Sequence, residues 1–409
     1  MTRLTIERLG HEGDGVAETP GGRVFVPLAL PGETVEAQVD GERGRLVEIV
    51  SKSRDRREPI CPHFGACGGC VLQHLEQAPY LAFKRQIVAD AFASRGLTPE
   101  IGEVVPIAPG TRRRVVLTAR RGREGVYLGF HALRGEEIVA IKTCAIASPA
   151  IVRALPGLRA LAAPLVSLRK EVRLTVTAAE NGLDVAIDAA RRDVDAAARA
   201  ALVAAASAAR VLRVTLGGEP VVTLGEPIID VDGIKIPLPP GGFLQAAVES
   251  EAILQAQVAQ ALTKAKRVAD LFSGLGTFSL PLARRAQVTA VEADKASLAA
   301  LSIAHKRTPG LKPIRTLVRD LFREPLSPKE LEAFDAVVVD PPRQGAKAQA
   351  EALAKSKVPL IVAVSCNPAT LARDCRILVD AGFTLGPVTP VDQFLFSPHI
   401  EIVTVLRRA

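Results

Sequence analysis

The side chains with most capacity for chemistry in this sequence are six cysteines and a set of acidic residues that close apolar runs. Cys366 follows the apolar run PLIVAVS and precedes Asn367 and Pro368, a capping residue and a first-turn proline that together predict a helix start. A thiol between a strand end and a helix amino terminus meets unpaired N–H groups, which favour the thiolate. A free thiol, with a pKa of about 8.5, is ionised to only a few per cent at neutral pH, so this placement predicts a nucleophile rather than a small buried apolar side chain. Cys375 is different. It shares an i, i+4, i+7 face with Leu371 and Leu378 and is expected in the core.

Cys61, Cys67 and Cys70 stand in CPHFGACGGC, a C-x5-C-x2-C run whose glycines let a loop wrap a compact centre, and Cys144 in IKTCAIASP offers a fourth thiolate. Structural zinc usually shows paired C-x2-C knuckles. With one knuckle only, three clustered thiolates and a distant fourth fit an iron-sulfur cluster better than zinc. His63 reads as an exposed loop histidine.

A second constellation begins where RVADLF runs into DLFSGLGTF and then into the helical SLPLARR. Gly274 and Gly276 thus fall in a strand-to-helix turn, where glycine lets the backbone approach a ligand. Glu292 closes the next strand, in AVEAD, and is placed to accept hydrogen bonds from both hydroxyls of a ribose. Phe278 and Ser279 occupy the place of a third dinucleotide glycine, which favours S-adenosylmethionine over NAD. Asp320 in VRDLF is suited to the adenine amino group or to a helix cap. Asp340 in VVVDPPR ends an apolar strand before two prolines that forbid sheet or helix, so it should project into the crevice.

The elements that must position these groups follow from patterning. The chain has 409 residues, enough for two or three domains. Short alternating runs over the first fifty residues predict a small antiparallel β-barrel, and SKSRDRREP a linker. Mixed helices and strands follow, among them an Ala-rich helix from Asp193 to Arg210 and the strand EVRLTVTAA, predicting an α+β domain. From Gly241 continuous Val/Ile/Leu strands alternate with helices, the signature of a parallel sheet covered on both faces, with a closing antiparallel hairpin at its edge. The expected divisions are 1–52, 53–235 and 236–409.

Lys and Arg total 52 against 44 Asp and Glu, giving +8 and a pI near 9.3, which favours a polyanionic partner. The first fifty residues are nonetheless acidic on balance. The densest basic stretch is Arg112, Arg113, Arg114, Arg120, Arg121 and Arg123, suited to an RNA backbone or to a solvated hairpin face. The absence of a long uncharged apolar run and of a signal-like h-region leads us to expect a cytoplasmic protein with no membrane partner.

Taken in order, LGHEGDGVAE, the C-x5-C-x2-C run with Cys144, DLFSGLGTFSLPLA, VVVDPPR, VSCNP and HIE resemble the RNA 5-methyluridine methyltransferases over nearly the whole chain. The resemblance implies three domains. These are an N-terminal TRAM-type, OB-like β-barrel, a central α+β domain holding a 4Fe-4S cluster on Cys61, Cys67, Cys70 and Cys144, and a C-terminal Rossmann-like α/β methyltransferase domain. It further implies Cys366 as nucleophile and Glu401 as base, with Gln245, Phe272, Gly274, Gly276, Thr277, Glu292, Asp320 and Asp340 around S-adenosylmethionine and the target base. The implied substrate is RNA, 23S rRNA in preference to tRNA, with no obligate protein partner. Ala247, Ser273 and Leu395 depart from the family's usual Asn, Cys and Pro. A methyltransferase of exocyclic amines would need no thiol, and Cys366 separates the two readings.

Overall fold

The computed structural model describes residues 1–168, 170–189 and 194–408. The first strands are β1 (Thr2–Thr5), β2 (Arg8–Leu9), β3 (Gly15–Thr19), β4 (Gly22–Val26), β5 (Thr34–Asp40) and β6 (Arg43–Ser51), joined in the order β1-β5-β6-β4-β3-β2. Alternation places Val35 and Ala37 in a closed core while Arg3 and Glu36 pair outside at 2.9 Å. The sheet is not wholly antiparallel, because Phe25 meets Arg43 in a parallel join. Nor is the charged 51–59 stretch a loose linker. Arg56 binds the buried Glu33 carboxylate at 2.5 and 2.8 Å and donates to the Leu28 carbonyl at 2.7 Å, so polar contacts hold what apolar ones do not.

After an irregular cysteine-bearing segment comes α1 (Gln77–Ala93), then β7 (Arg114–Gly122), β8 (Gly125–His131), β9 (Ile138–Ala140), α2 (Pro149–Ala162), β10 (Glu171–Ala179), β11 (Gly182–Ile187), α3 (Ala196–Ala208), β12 (Val211–Leu216) and β13 (Glu219–Thr223). These strands form a sheet ordered β13-β12-β11-β10-β7-β8-β9, whose core is shared with α2 and α3. The Ala-rich helix starts at Ala196, capped by Asp195. Its expected start at Asp193 lies outside the described residues. The basic stretch is only partly a surface for anions. Arg113 is buried on Glu251, whereas Arg120, Arg121 and Arg123 are exposed, Arg121 donating to the Ala163 carbonyl.

A hairpin of β14 (Ile228–Val231) and β15 (Ile234–Pro237) leads to the C-terminal layer: α4 (Val248–Ala261), β16 (Arg267–Leu271), α5 (Ser279–Ala283), β17 (Gln287–Glu292), α6 (Lys295–Arg307), β18 (Ile314–Val318), α7 (Pro328–Leu331), β19 (Ala336–Val339), α8 (Lys347–Ala354), β20 (Leu360–Ser365), α9 (Pro368–Asp380), β21 (Phe383–Val391) and β22 (Glu401–Arg408). The order β18-β17-β16-β19-β20-β22-β21 is parallel from β18 to β20. The final strand inserts antiparallel between β20 and β21, so Glu401 lies on an internal strand and not at the sheet edge. Among the described residues no helix is long and apolar enough to cross a membrane.

The first helix belongs physically to this last layer, across the division expected at 235/236. Val88 and Phe92 of α1 pack in one core with Leu371 and Leu378 of α9. Lys84, on the same face and fully buried, pairs with the equally buried Asp392 and donates to the carbonyls of Phe394 at 3.0 Å and His399 at 2.7 Å. Tyr80 donates to Asp392 at 3.0 Å and accepts from the Phe396 amide at 2.8 Å. The segment from Asp392 to His399, immediately before Glu401, is thereby held from α1. Removing one partner of a buried pair leaves an uncompensated charge, so Lys84→Ala should lower unfolding free energy by about 3–5 kcal/mol in urea titration. A loss below about 1 kcal/mol would show that the pair does not hold the segment.

Candidate active site

The turn after β16 is shaped by three residues with left-handed backbone: Phe272 (φ 61°), Gly274 (φ 52°) and Gly276 (φ 93°). At Gly276 a Cβ would meet Leu301 Cδ1 of α6 at 2.5 Å, so this glycine serves helix packing. At Gly274 a Cβ would meet nothing, which leaves the turn open to the crevice. Its amide donates to Glu292 Oε2 at 3.1 Å, and Glu292 Oε1 accepts from the amides of Ala293 and Asp294. Thr277 gives its carbonyl to Gln255 Nε2 at 3.0 Å. Asp320, past β18, accepts from the Phe322 amide at 3.0 Å, and the Phe322 ring lies 5.2 Å from that of Phe272. The residues expected around a cofactor thus sit at the carboxyl ends of β16, β17 and β18.

Behind this turn the crevice is lined by two buried carboxylates, Asp270 and Glu401, and the half-buried Asp340. Asp270 is wholly buried and accepts from Ser279 Oγ at 2.6 Å, and desolvation pushes its pKa up to about 7. Asp340 follows β19. Burial and the nearby Asp270 push it up to about 7, against the effect of a 3.0 Å hydrogen bond from Gln245 Nε2. Glu401 is buried and raised well above the usual carboxylate range, by desolvation first and by Asp340 second. Among the described residues none of the three makes an ion pair, so burial favours their protonated forms and a cation placed among them would favour their ionisation.

Pairing of Ser365 with Ile402 across β20 and β22 brings Cys366, one residue past β20, beside Glu401, the first residue of β22. The 35 positions between them in sequence are closed by one register. The expected thiolate is not what this environment favours. Burial, Glu401 and Asp340 push the Cys366 thiol up to about 11, outweighing Arg343 and the residue's own amide. Asn367 does cap α9, accepting from Ala369 at 3.1 Å, but a helix terminus acts over one turn while desolvation and two carboxylates act directly on the sulfur.

Two residues without a sequence motif complete the site. Gln393 Nε2 donates to Glu401 Oε2 and to Gln245 Oε1, each at 2.9 Å, and Gln393 Oε1 accepts from Ser250 Oγ at 2.5 Å. Glu401, Gln393, Gln245 and Asp340 are therefore one hydrogen-bonded chain. Above it, Arg343 contacts the His399 ring and the Arg112 guanidinium lies 5.9 Å from the Phe394 ring centre.

Cys61, Cys67, Cys70 and Cys144 line a separate cavity of about 240 Å³ with His63 and Arg112. Burial and mutual repulsion raise the thiols of Cys67 and Cys144 and push Cys70 up to about 12, so four thiolates here require a compensating cation. His63 is partly buried in this wall and accepts from the Lys142 amide at 3.1 Å, so it is not a free loop histidine. Among the described residues no group of three or more His, Cys, Asp or Glu side chains is set to hold a single metal ion.

Comparison with known proteins decides the family. Residues 241–409 match the tRNA (uracil-5-)-methyltransferase family and residues 2–42 the TRAM domain. An RNA methyltransferase of Rhizobium meliloti is 47% identical over 99% of both chains. The 23S rRNA (uracil(1939)-C(5))-methyltransferase of Chromohalobacter salexigens is 35% identical over 99% of this chain and 89% of its own. The chain belongs to the RNA (uracil-5-)-methyltransferase family. Its fold is that of Pyrococcus abyssi tRNA (uracil-54, C5)-methyltransferase, solved in complex with S-adenosyl-L-homocysteine, with a TM-score of 0.75 over 99% of this chain and 100% of that one at 22% identity. The methyltransferase uses S-adenosylmethionine, whose sulfonium is the kind of cation that the uncompensated carboxylates suit.

In the ligand-free methyltransferase, iodoacetamide should alkylate Cys366 about tenfold faster per pH unit throughout pH 7 to 9.5, followed by peptide mass spectrometry. A plateau near the ordinary thiol pKa of about 8.5 would show that the carboxylates do not act on this sulfur.

Proposed function

We propose that the methyltransferase modifies C5 of a uridine in RNA, 23S rRNA in preference to tRNA, through a covalent bond between Cys366 and C6 of the base. The observation that carries this reading is the side-by-side placement of Cys366 and Glu401 in a crevice of unpaired carboxylates. Uracil C5 is a poor nucleophile. Once Cys366 has lost its proton, bonding of its Sγ to C6 moves electron density onto C5, which takes the methyl group that the sulfonium of S-adenosylmethionine would supply, with S-adenosylhomocysteine as the leaving group. Glu401 then takes the C5 proton, the C5–C6 double bond re-forms and Cys366 is released.

Each residue has a physical part in this reading. Glu292 and the Gly274 turn suit the ribose, Phe272, Thr277 and Asp320 the remainder of the nucleoside, and Gln245 and Asp340 the boundary between cofactor and base. A positive charge among Asp340, Glu401 and Cys366 lowers all three pKa values, so the site is primed only when the methyl donor is present. The 23S rRNA preference rests on the relative from Chromohalobacter salexigens. Because a uracil in a duplex shows neither C6 to a thiol nor C5 to a methyl donor, the target must be flipped or unpaired.

Cys61, Cys67, Cys70 and Cys144 are proposed to hold a 4Fe-4S cluster. Four thiols converge on one cavity, the ligand number that such a cluster takes. Such a cluster supplies a cross-link between the 61–70 loop and residue 144.

Glu401→Gln keeps the size of the side chain but cannot take the C5 proton. Incubated with S-adenosylmethionine and total RNA from a strain lacking the gene, it should accumulate a methylated covalent protein–RNA complex whose RNA sequences as 23S rRNA. Cys366→Ala should form none. Parental turnover by Glu401→Gln without a trapped complex would remove the base assignment, and tRNA in the complex would reverse the preference. Protein purified without oxygen should contain about four irons per chain and lose most of them in Cys144→Ala. Zinc without iron would overturn the cluster.

A further inference from the structure

The chain of amides behind the base has a geometry that packing alone does not require. Gln393 is 4% exposed and follows the last residue of β21 by two. Its neighbours are pinned, Asp392 by Lys84 and Tyr80 and the Phe394 carbonyl by Lys84, so the side chain enters the crevice from a fixed backbone. Both of its N–H donors are used, one on Glu401 Oε2 and one on Gln245 Oε1, while its oxygen accepts from Ser250.

The orientation of this amide is dictated from the far end of the chain. When Asp340 is ionised, as a cation beside it favours, it accepts only, so Gln245 turns its N–H group toward Asp340 and its oxygen toward Gln393. Gln393 must then present N–H to Gln245, its other N–H faces Glu401, and its oxygen is left for the Ser250 hydroxyl. That arrangement uses both N–H groups and the oxygen of Gln393, and it places a donor on the oxygen of a carboxylate that makes no ion pair among the described residues.

We propose that Gln393 is a positioning residue for the base, its amide favouring the ionised form of Glu401 once a cationic methyl donor is bound and aiming the carboxylate at C5 until the proton is taken. The proposal rests on the reading of Glu401 as the base. A donor to the carboxylate favours its charged form, so losing that donor raises the pKa of Glu401 and moves the acid limb of proton abstraction to higher pH. The groups that face Glu401 are Asp340 after β19 and Cys366 after β20, with Asp270 behind Asp340 and Arg343 beside Cys366. Glu251 of α4, Asp392 and His399 are already engaged by Arg113, Lys84 and Arg343. Gln393 is the only one of these contacts that donates a hydrogen bond to Glu401 among the described residues.

Single-turnover measurements on Gln393→Met, close to glutamine in volume but without donor or acceptor, test this directly. RNA labelled with [5-³H]uridine, prepared as total RNA from a strain lacking the gene, reports C5 proton release, and methyl-labelled S-adenosylmethionine reports methyl transfer. Methyl transfer should stay within about twofold of the parent. Tritium release should slow about tenfold below neutral pH, its acid limb displaced upward by about one unit. Ser250→Ala, which frees the amide to turn, should move the same limb by less. Calorimetric binding of S-adenosylhomocysteine establishes that each variant is folded, and Ser250→Ala carries the test if Gln393→Met does not bind. An unmoved limb, or equal slowing of both steps, overturns the proposal. Parental tritium release by Glu401→Gln would instead overturn the reading beneath it.

Discussion

The antiparallel insertion of β22 between β20 and β21 is the constraint on which the site depends. It fixes Ser365 opposite Ile402, and so carries Cys366 and Glu401 to the same end of the sheet, where the parallel strands also deliver Asp270 and Asp340. A shift of one residue in that register would turn every side chain of β22 to the other face. The register is protected from both directions. Val403 and Val364 lie in a packed layer with α4, and the segment leading into β22 is held by Lys84 and Tyr80 of α1.

That second support links the far parts of the molecule. The amides of Val71 and Leu72, next to Cys70, donate to the Phe396 carbonyl at 2.8 and 3.0 Å, and Phe396 keeps a left-handed backbone (φ 57°). Such a conformation in an aromatic residue is costly and persists where surrounding contacts determine it. The cysteine loop and α1 therefore act as a brace on the residues just before Glu401. Confinement of Asp270, Asp340 and Glu401 together, without ion pairs among the described residues, carries a free-energy cost that a cation in the crevice would offset.

Much of this was legible in the chain itself. The strand ends before Gly274, Asp340 and Cys366 are marked by apolar runs that stop at a glycine turn, a Pro-Pro pair or an Asn-Pro cap, and Glu292 closes the apolar run of the next strand, all local signals. What was not legible is pairwise and distant. Lys84 and Asp392 are 308 positions apart and look like ordinary surface residues until both are buried. Gln393 and Ser250 carry no motif, and their roles exist only once β21 and α4 are packed. Cys366 is alike, because its helix terminus is visible in sequence while its carboxylate neighbours, which push the thiol up, come from two other strands. Arg113 shows the converse, a residue that counts as basic surface in composition and is an internal partner of Glu251 in the fold.

In the proposed chemistry Cys366 bonds to the base and Glu401 removes the C5 proton. RNA transcribed with 5-fluorouridine separates the two events, because fluorine replaces the proton that the base must take. After incubation with S-adenosylmethionine and nuclease digestion, mass spectrometry should find a methylated fluorouridine nucleotide attached to the peptide containing Cys366. No attachment at Cys366, or attachment at another cysteine, would contradict the account.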